Sequence, residues 1–278
     1  MRTQGTSLML LSDGVIKVDG GCVFGSVPKV DWEQKKSPDR RNRVTMGLNC
    51  LLIKNGDKCI LVDTGVGTKQ SDSAKDKFGL GTSRLAREFR SYGIGPKDVT
   101  GVILTHLQFD HSGGSTRLDR SGAPVPTFPN ATYYVQSDAW EQALKPTERG
   151  AEYFNREDFM PLKDREQLCL LDGDEDVAPG VRVKLANGPA PGHQIVLVNY
   201  GGEKVAFMGD LIPTRHHLDL TCIASVDHDP EETLAWKREI LKEAESSGWL
   251  MIFSHGYDEK AGYLERRNGH YSFRSVAL

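Results

Sequence analysis

The feature that most constrains this chain is a unit that recurs: an apolar, β-branched run that stops on a side chain able to bind a metal. "GVILTH" stops at His106, "KVAFMGD" at Asp210 and "WLMIFSH" at His255, and "CILVDTG" carries Asp63 in the same way. Short apolar runs bounded by glycine or polar residues predict buried strands. In layered α/β proteins, functional groups collect at one end of such strands. The fold must therefore be one that lets these strand ends converge on a single site.

The segments between them read as hairpins and helices. "CLLIKNGDKCILV" (50–62) predicts two strands around Asn55-Gly56, and "VLVNYGGEKVAFM" (196–208) repeats the pattern around Gly201-Gly202. A helix is expected over 83–93 with Leu85, Phe89 and Tyr92 on one face, and another over 137–144 with Ser137 as N-cap. The strongest helix signal covers 229–248. Asp229 caps it, Pro230 takes the first turn, Glu232 pairs back, Leu234, Ile240, Leu241 and Ala244 face inward, and Gly248 stops it. Sheets covered by helices are implied. Three irregular stretches, 64–82, 112–130 and 145–166, flank the strand ends and are long enough to be lids or binding loops.

Composition removes several function classes. The 278 residues carry a net charge of -3, with no electrostatic footprint for nucleic acid. The local run "KKSPDRR" (35–41) reads as a solvated loop. No low-complexity linker divides the chain, and residues 1–278 are read as a single domain. Cys22, Cys50, Cys59, Cys169 and Cys222 are scattered and form no C-x-x-C pair, which suits reduced thiols. The opening "MRTQGTSLMLLSDG" is too briefly apolar for a signal peptide or a membrane span, so a cytoplasmic protein is expected. There is no G-x-S-x-G for a serine nucleophile and no complete G-x-G-x-x-G for a dinucleotide.

What remains is metal chemistry. In an extended segment His106, Gln108 and Asp110 would face one way, with His111 brought round by the turn that Gly113 and Gly114 permit. "APGH" adds His193 after a Pro-Gly turn. Imidazole and carboxylate together suit zinc, and also manganese or iron.

The segment "THLQFDHSGG" resembles the T-H-x-H-x-D-H-x-G-G signature of the metallo-β-lactamase superfamily, and "DTG", "PGH", "MGD" and "SHG" fall in the same order around it. The resemblance spans about residue 45 to residue 258. It implies an α+β fold, a four-layer αββα sandwich with two divalent metals at one edge, zinc first and manganese or iron as alternatives. His106, Gln108 and His193 would hold one metal, and Asp110, His111 and His255 the other. Asp210 would bridge them, and Asp63 would orient a ligand by hydrogen bonding. Gln108 departs from the pattern, which has histidine there. An amide oxygen is neutral and a poorer zinc donor, so that position is expected to bind metal less tightly or to favour a harder ion.

The resemblance further implies a hydrolase of a lactone or other small ester that works through a metal-bound hydroxide, with Asp110 as the catalytic carboxylate. A phosphotriester or phosphodiester hydrolase on the same site is the alternative, and a metal-binding protein with little turnover is a third reading that Gln108 motivates. Oxygen reduction ranks low without a flavin domain. A small-molecule substrate is expected, with no nucleic acid and no membrane, and a homodimer is open. His216 and His217 follow Asp210 and are candidates to contact the substrate. His228 is read as structural or solvated, and no role is expected of His270 in its polar tail. Phe24, Val27 and Trp32 fit a core better than a pocket wall.

Overall fold

The computed structural model describes residues 2–3, 5–267 and 270–277. The first part of the chain builds one sheet: β1 (Arg2–Thr3), β2 (Thr6–Asp19), then two short helices, α1 (Gly20–Phe24) and α2 (Lys29–Trp32), then β3 (Arg43–Asn55) and β4 (Lys58–Val62). Helices α3 (Asp72–Phe78) and α4 (Leu85–Ser91) lead to β5 (Gly101–Ile103), and α5 (Phe109–Ser112) to a small ribbon of β6 (Thr116–Leu118) and β7 (Pro124–Pro126). The sheet resumes with β8 (Thr132–Gln136), and after α6 (Ser137–Leu144) and α7 (Met160–Asp164) ends with β9 (Leu168–Leu171). Its order is β1-β2-β3-β4-β5-β8-β9.

The remaining chain builds the second sheet in sequence order. It runs from β10 (Glu175–Ala178) through β11 (Val181–Leu185), β12 (Gln194–Tyr200) and β13 (Glu203–Phe207) to β14 (Leu250–Ile252), β15 (Ala261–Arg267) and β16 (His270–Ser275). Helix α8 (Pro230–Ser247) lies between β13 and β14 in the chain.

Period-two alternation explains why the central strands are apolar on both faces. Leu52, Leu61 and Val102 pack outward against Leu85 and Phe89 of α4, Trp140 of α6 and Leu162 of α7. Leu51, Ile60, Val62 and Ile103 point the other way and meet Val196, Val205, Phe207 and Ile252 of the second sheet. The opposite set on that sheet, including Ala206, Met208 and Met251, packs against Ile240, Leu241 and Ala244 of α8. The result is the α+β sandwich of two sheets between helical layers. Truncating one of these fully buried aliphatic side chains to alanine costs roughly 2–5 kcal/mol.

Local expectations fare unevenly. Both hairpins form, with Asn55 paired to Lys58 and Tyr200 to Glu203. In α8 the Asp229 carboxylate accepts from the Glu231 and Glu232 N–H groups, and Gly248 ends the helix at φ 64°. Its buried face, however, uses Thr233 and Lys237 in place of Leu234. The Lys237 ammonium donates to the Asp219, Leu220 and Cys222 carbonyls, which makes its burial tolerable. Tyr92 is exposed, because α4 stops at Ser91. Gln136 occupies the N-cap of α6, and the Ser137 hydroxyl instead donates to the Leu171 carbonyl. The three long stretches are not structureless: they contain α3, the β6–β7 ribbon and α7. No helix among the described residues is long and apolar enough to cross a membrane. All five cysteines are free thiols.

Candidate metal centre

Strand direction brings the ligand-bearing ends together. β4 runs parallel to β5, and β13 parallel to β14, so Asp63, His106, Asp210 and His255 all leave carboxyl ends of strands. His193 precedes β12, which is antiparallel to β13, and therefore lies at the same edge. Several hydrogen bonds close the gap between the sheets there. The Gln194 N–H donates to the Thr105 carbonyl, and Asn49 on β3 donates to the Phe253 and Gly256 carbonyls.

Residues 106–110 are not extended. The chain turns at Gln108, which caps α5 with its backbone, so Asp110 and His111 project from a helical turn. Gly113 and Gly114 do not supply a positive-φ turn. They allow close approach: a Cβ at either would lie 2.5 Å from the Val66 carbonyl oxygen or 2.2 Å from that of Thr64.

Each of the four histidines has a partner for Nδ1, which directs Nε2 inward. His111 Nδ1 lies 2.7 Å from Asp63 Oδ2. His106 Nδ1 lies 3.1 Å from the Thr105 hydroxyl, which itself donates to Asp63. His193 Nδ1 and His255 Nδ1 lie 2.9 Å and 2.8 Å from the Ala186 and Gly47 carbonyl oxygens. Asp63 is thus the common support of His106 and His111, held at φ 56° on the turn after β4.

At the focus, His111 Nε2 and His255 Nε2 are 3.1 Å apart, and each is 3.2 Å from Asp210 Oδ1. His106 Nε2 is 3.8 Å from Asp210 Oδ2, and Asp110 Oδ2 is 3.7 Å from His255 Nε2. Two buried atoms here, His106 Nε2 and Asp110 Oδ1, have no hydrogen-bond partner. Two triads have ligand atoms close enough for one cation: His106, His111 and Asp210, and Asp110, His111 and His255. The chemistry of the set fits divalent metals, with imidazole nitrogens and carboxylates converging and orphaned atoms among them.

The electrostatics agree with a centre short of positive charge. Burial disfavours charge on His111, yet Asp210, Asp63 and Asp110 overcome it and hold its pKa well above the ordinary value. His255 is raised as well, since Asp210 outweighs its burial. Burial, reinforced by His111, drives His106 well below the ordinary value, and burial lowers His193 to about 4.

The remaining candidates are placed differently. His193 Nε2 accepts the Asp210 backbone N–H at 2.9 Å, so its inward lone pair is already engaged. Gly209 makes this possible: a Cβ there would lie 2.4 Å from that nitrogen. Gln108 lines the cavity beside the centre with Asp110, Asp210 and His255. His217 lines it too, but both ring nitrogens are occupied, Nδ1 by Thr214 and Nε2 by the Val23 carbonyl. His216 lies in a neighbouring pocket with Lys35, Lys36 and Arg215, where burial, then those cations, lower its pKa to about 4. Phe24 and Trp32 stack at 5.3 Å within a core cluster against which Val27 packs.

Sequence reading passed over Tyr153, Asp227 and the pair Lys69–Asp158. Tyr153 and Asp227 line the same cavity, from a stretch without periodicity and from just before a helix cap. Lys69 Nζ lies 2.9 Å from Asp158, both buried, and also donates to the Gly113 and Thr116 carbonyls beneath α5. Nothing local in the sequence marks that pair.

Comparison with known proteins gives the same family. The family model of the metallo-beta-lactamase superfamily matches residues 45–255. An N-acyl homoserine lactonase of Bacillus thuringiensis is 26% identical over 229 residues, covering 76% of this chain and 82% of the relative. A probable metal-dependent hydrolase from Staphylococcus aureus superposes with a TM-score of 0.89 at 26% identity over 100% of both chains. The fold is also that of AidC, a dizinc quorum-quenching lactonase solved with a product, at TM-score 0.82, 21% identity and coverage of 100% of this chain and 97% of that one. With three quarters of its length matched by the family model and its whole length by the fold, the chain belongs to the metallo-beta-lactamase superfamily.

Proposed function

We propose that this metal-dependent hydrolase opens lactones. The observation that carries the reading is the pairing of two environments: a cluster of inward-facing nitrogens and carboxylates with orphaned buried atoms, and directly beside it a cavity walled by Ile16, Val18, Val23, Met46 and Phe78. A small ester with an apolar tail fits such a junction. The similarity to N-acyl homoserine lactonases supports the same substrate class.

His106, Asp110, His111, Asp210 and His255 would hold the ions, with Gln108 and His193 completing the His106 side. Bound there, divalent metals bring the pKa of a water towards neutrality and polarise a carbonyl oxygen. Asp63 keeps His111 and, through Thr105, His106 in the tautomer that presents Nε2. Asp110 Oδ1, buried and without a hydrogen-bond partner, would take a proton from an attacking water and return it to the departing alkoxide. Cys22 and Val23 of α1 add to the lining of the cavity. Zinc is the proposed metal.

A panel of metal-loaded assays tests this. A γ-lactone, an aryl acetate, a β-lactam and a phosphotriester are compared by acid release or chromophore. Lactone turnover well above the others is expected. Phosphotriester turnover without lactone turnover would replace the proposal with its alternative.

A further inference from the structure

The cavity beside the metal centre contains a carboxyl group that the proposed chemistry does not use. Asp227 precedes the cap of α8, is 4% exposed, and lines the cavity together with Ile16, Val18, Val23, Met46 and Phe78. It takes part in no ion pair among the described residues, and its one side-chain hydrogen bond there is Thr233 Oγ1 to Oδ2, at 2.7 Å. Thr233 Oγ1 also lies 3.1 Å from the Asp229 carbonyl oxygen, as expected of a threonine in a first helical turn. A hydroxyl has one hydrogen, and here it faces two acceptors. Both contacts are satisfied together when Asp227 carries a proton on Oδ2 and donates it to Thr233, while Thr233 donates to Asp229. Burial is the largest influence and pushes the carboxyl up to about 7; Asp210 adds to the rise, while the Thr233 hydrogen bond and the charges of Lys237 and Arg149 act against it. Oδ1 is then a carbonyl-type acceptor with no hydrogen-bond partner among the described residues, on a residue that lines a largely apolar cavity.

An acceptor of this kind selects for a donor. We propose that Asp227 is a specificity-determining residue whose Oδ1 accepts a hydrogen bond from a substrate N–H, so that lactones carrying an amide nitrogen next to the ring are preferred over lactones that lack it. The proposal rests on the lactone reading above and adds the recognition of a second functional group. The energetic reason is that a polar atom facing a largely apolar space goes unpaired whenever the ligand has nothing to offer it.

The test is a comparison of two lactones of equal chain length, an α-acylamino-γ-butyrolactone and an α-alkyl-γ-butyrolactone, on wild type and two variants. Asp227→Val removes the acceptor. Asp227→Asn keeps an acceptor oxygen and lets its amide nitrogen donate to Thr233 as the protonated acid does. The expected result is that Asp227→Val reduces the preference for the amide-bearing lactone roughly ten-fold, mainly through KM, and that Asp227→Asn restores most of it. Equal losses on both lactones, or an Asn variant no better than Val, would overturn the assignment. Failure of the metal-loaded wild type to hydrolyse either lactone would overturn the hydrolase reading instead. The comparison then passes to calorimetric binding of the same two lactones, where equal affinity counts against Asp227.

Discussion

The two halves of the metal centre are built from the same kinds of residue but finished to different standards. In the half formed by Asp110, His111 and His255, each imidazole is braced behind at Nδ1, and the two inward nitrogens meet only each other, at 3.1 Å, and Asp210 Oδ1, at 3.2 Å. In the other half, Gln108 offers a neutral amide, His193 already accepts the Asp210 N–H, and only His106 presents an unpartnered nitrogen. The difference teaches that a ligand motif is not a site. What matters is whether an inward lone pair faces only other candidate ligands, which a cation would replace as partner, or is spent on a backbone N–H, as at His193. The two ions should therefore differ in affinity, the one at Asp110, His111 and His255 being the tighter.

The most severe way to break the better half is Asp110→Ala. It would delete the proposed proton carrier and one proposed ligand together, and kcat for lactone opening should drop by about 10²–10⁴-fold. Rates measured with metal content checked alongside decide it. Near-normal turnover with metal retained would remove Asp110 from the chemistry. Asp63→Ala attacks the same half from behind. With the partner of His111 Nδ1 gone, metal affinity should weaken by about 10–100-fold, read by competition with a chromophoric chelator. An unchanged affinity would mean that the imidazole is oriented by packing alone.

The asymmetry was only half legible in the sequence. Strand runs ending in His106, Asp210 and His255 fix which edge of the sandwich carries the site, because period two and parallel neighbours leave them no other place. Gln108 is visible as a departure by inspection. The engagement of His193 is not, since it depends on a backbone N–H seventeen residues away and on a glycine conformation at Gly209. The same limit hid Asp227 and the Lys69–Asp158 pair, whose meaning lies in contacts between distant segments. The turn at residues 108–112 was misread because one helical turn leaves too short a pattern to distinguish from an extended ligand string.

The weaker half can be sharpened rather than broken. Graded chelation followed by elemental analysis should remove metal in two steps, with one ion per chain lost first. Gln108→His should narrow the gap between the steps by restoring an imidazole donor. A single-step loss in the wild-type protein would mean that the two halves bind as one unit despite their different donors.

The smallest expected effect concerns pH and separates metal-free from metal-loaded protein. In the metal-free chain the carboxylates hold His111 and His255 above the ordinary histidine value of 6.5. A raised histidine stabilises the fold fully below its unfolded value and loses that contribution as pH rises through the folded one. The metal-free protein should therefore lose melting temperature from about pH 6.5 upward, each pKa unit of displacement counting for about 1.4 kcal/mol. Metal binding requires these imidazoles neutral, so proton competition weakens as pH rises and the loaded protein should not share the decline. Asp158, raised by burial to about 6 away from the proposed ligands, acts alike on both forms and cancels in the difference. The gap between loaded and metal-free melting temperatures should widen between pH 6.5 and 8.5. A constant or shrinking gap would show that His111 and His255 do not exchange protons for metal, and the contrast between the halves would lose its electrostatic basis.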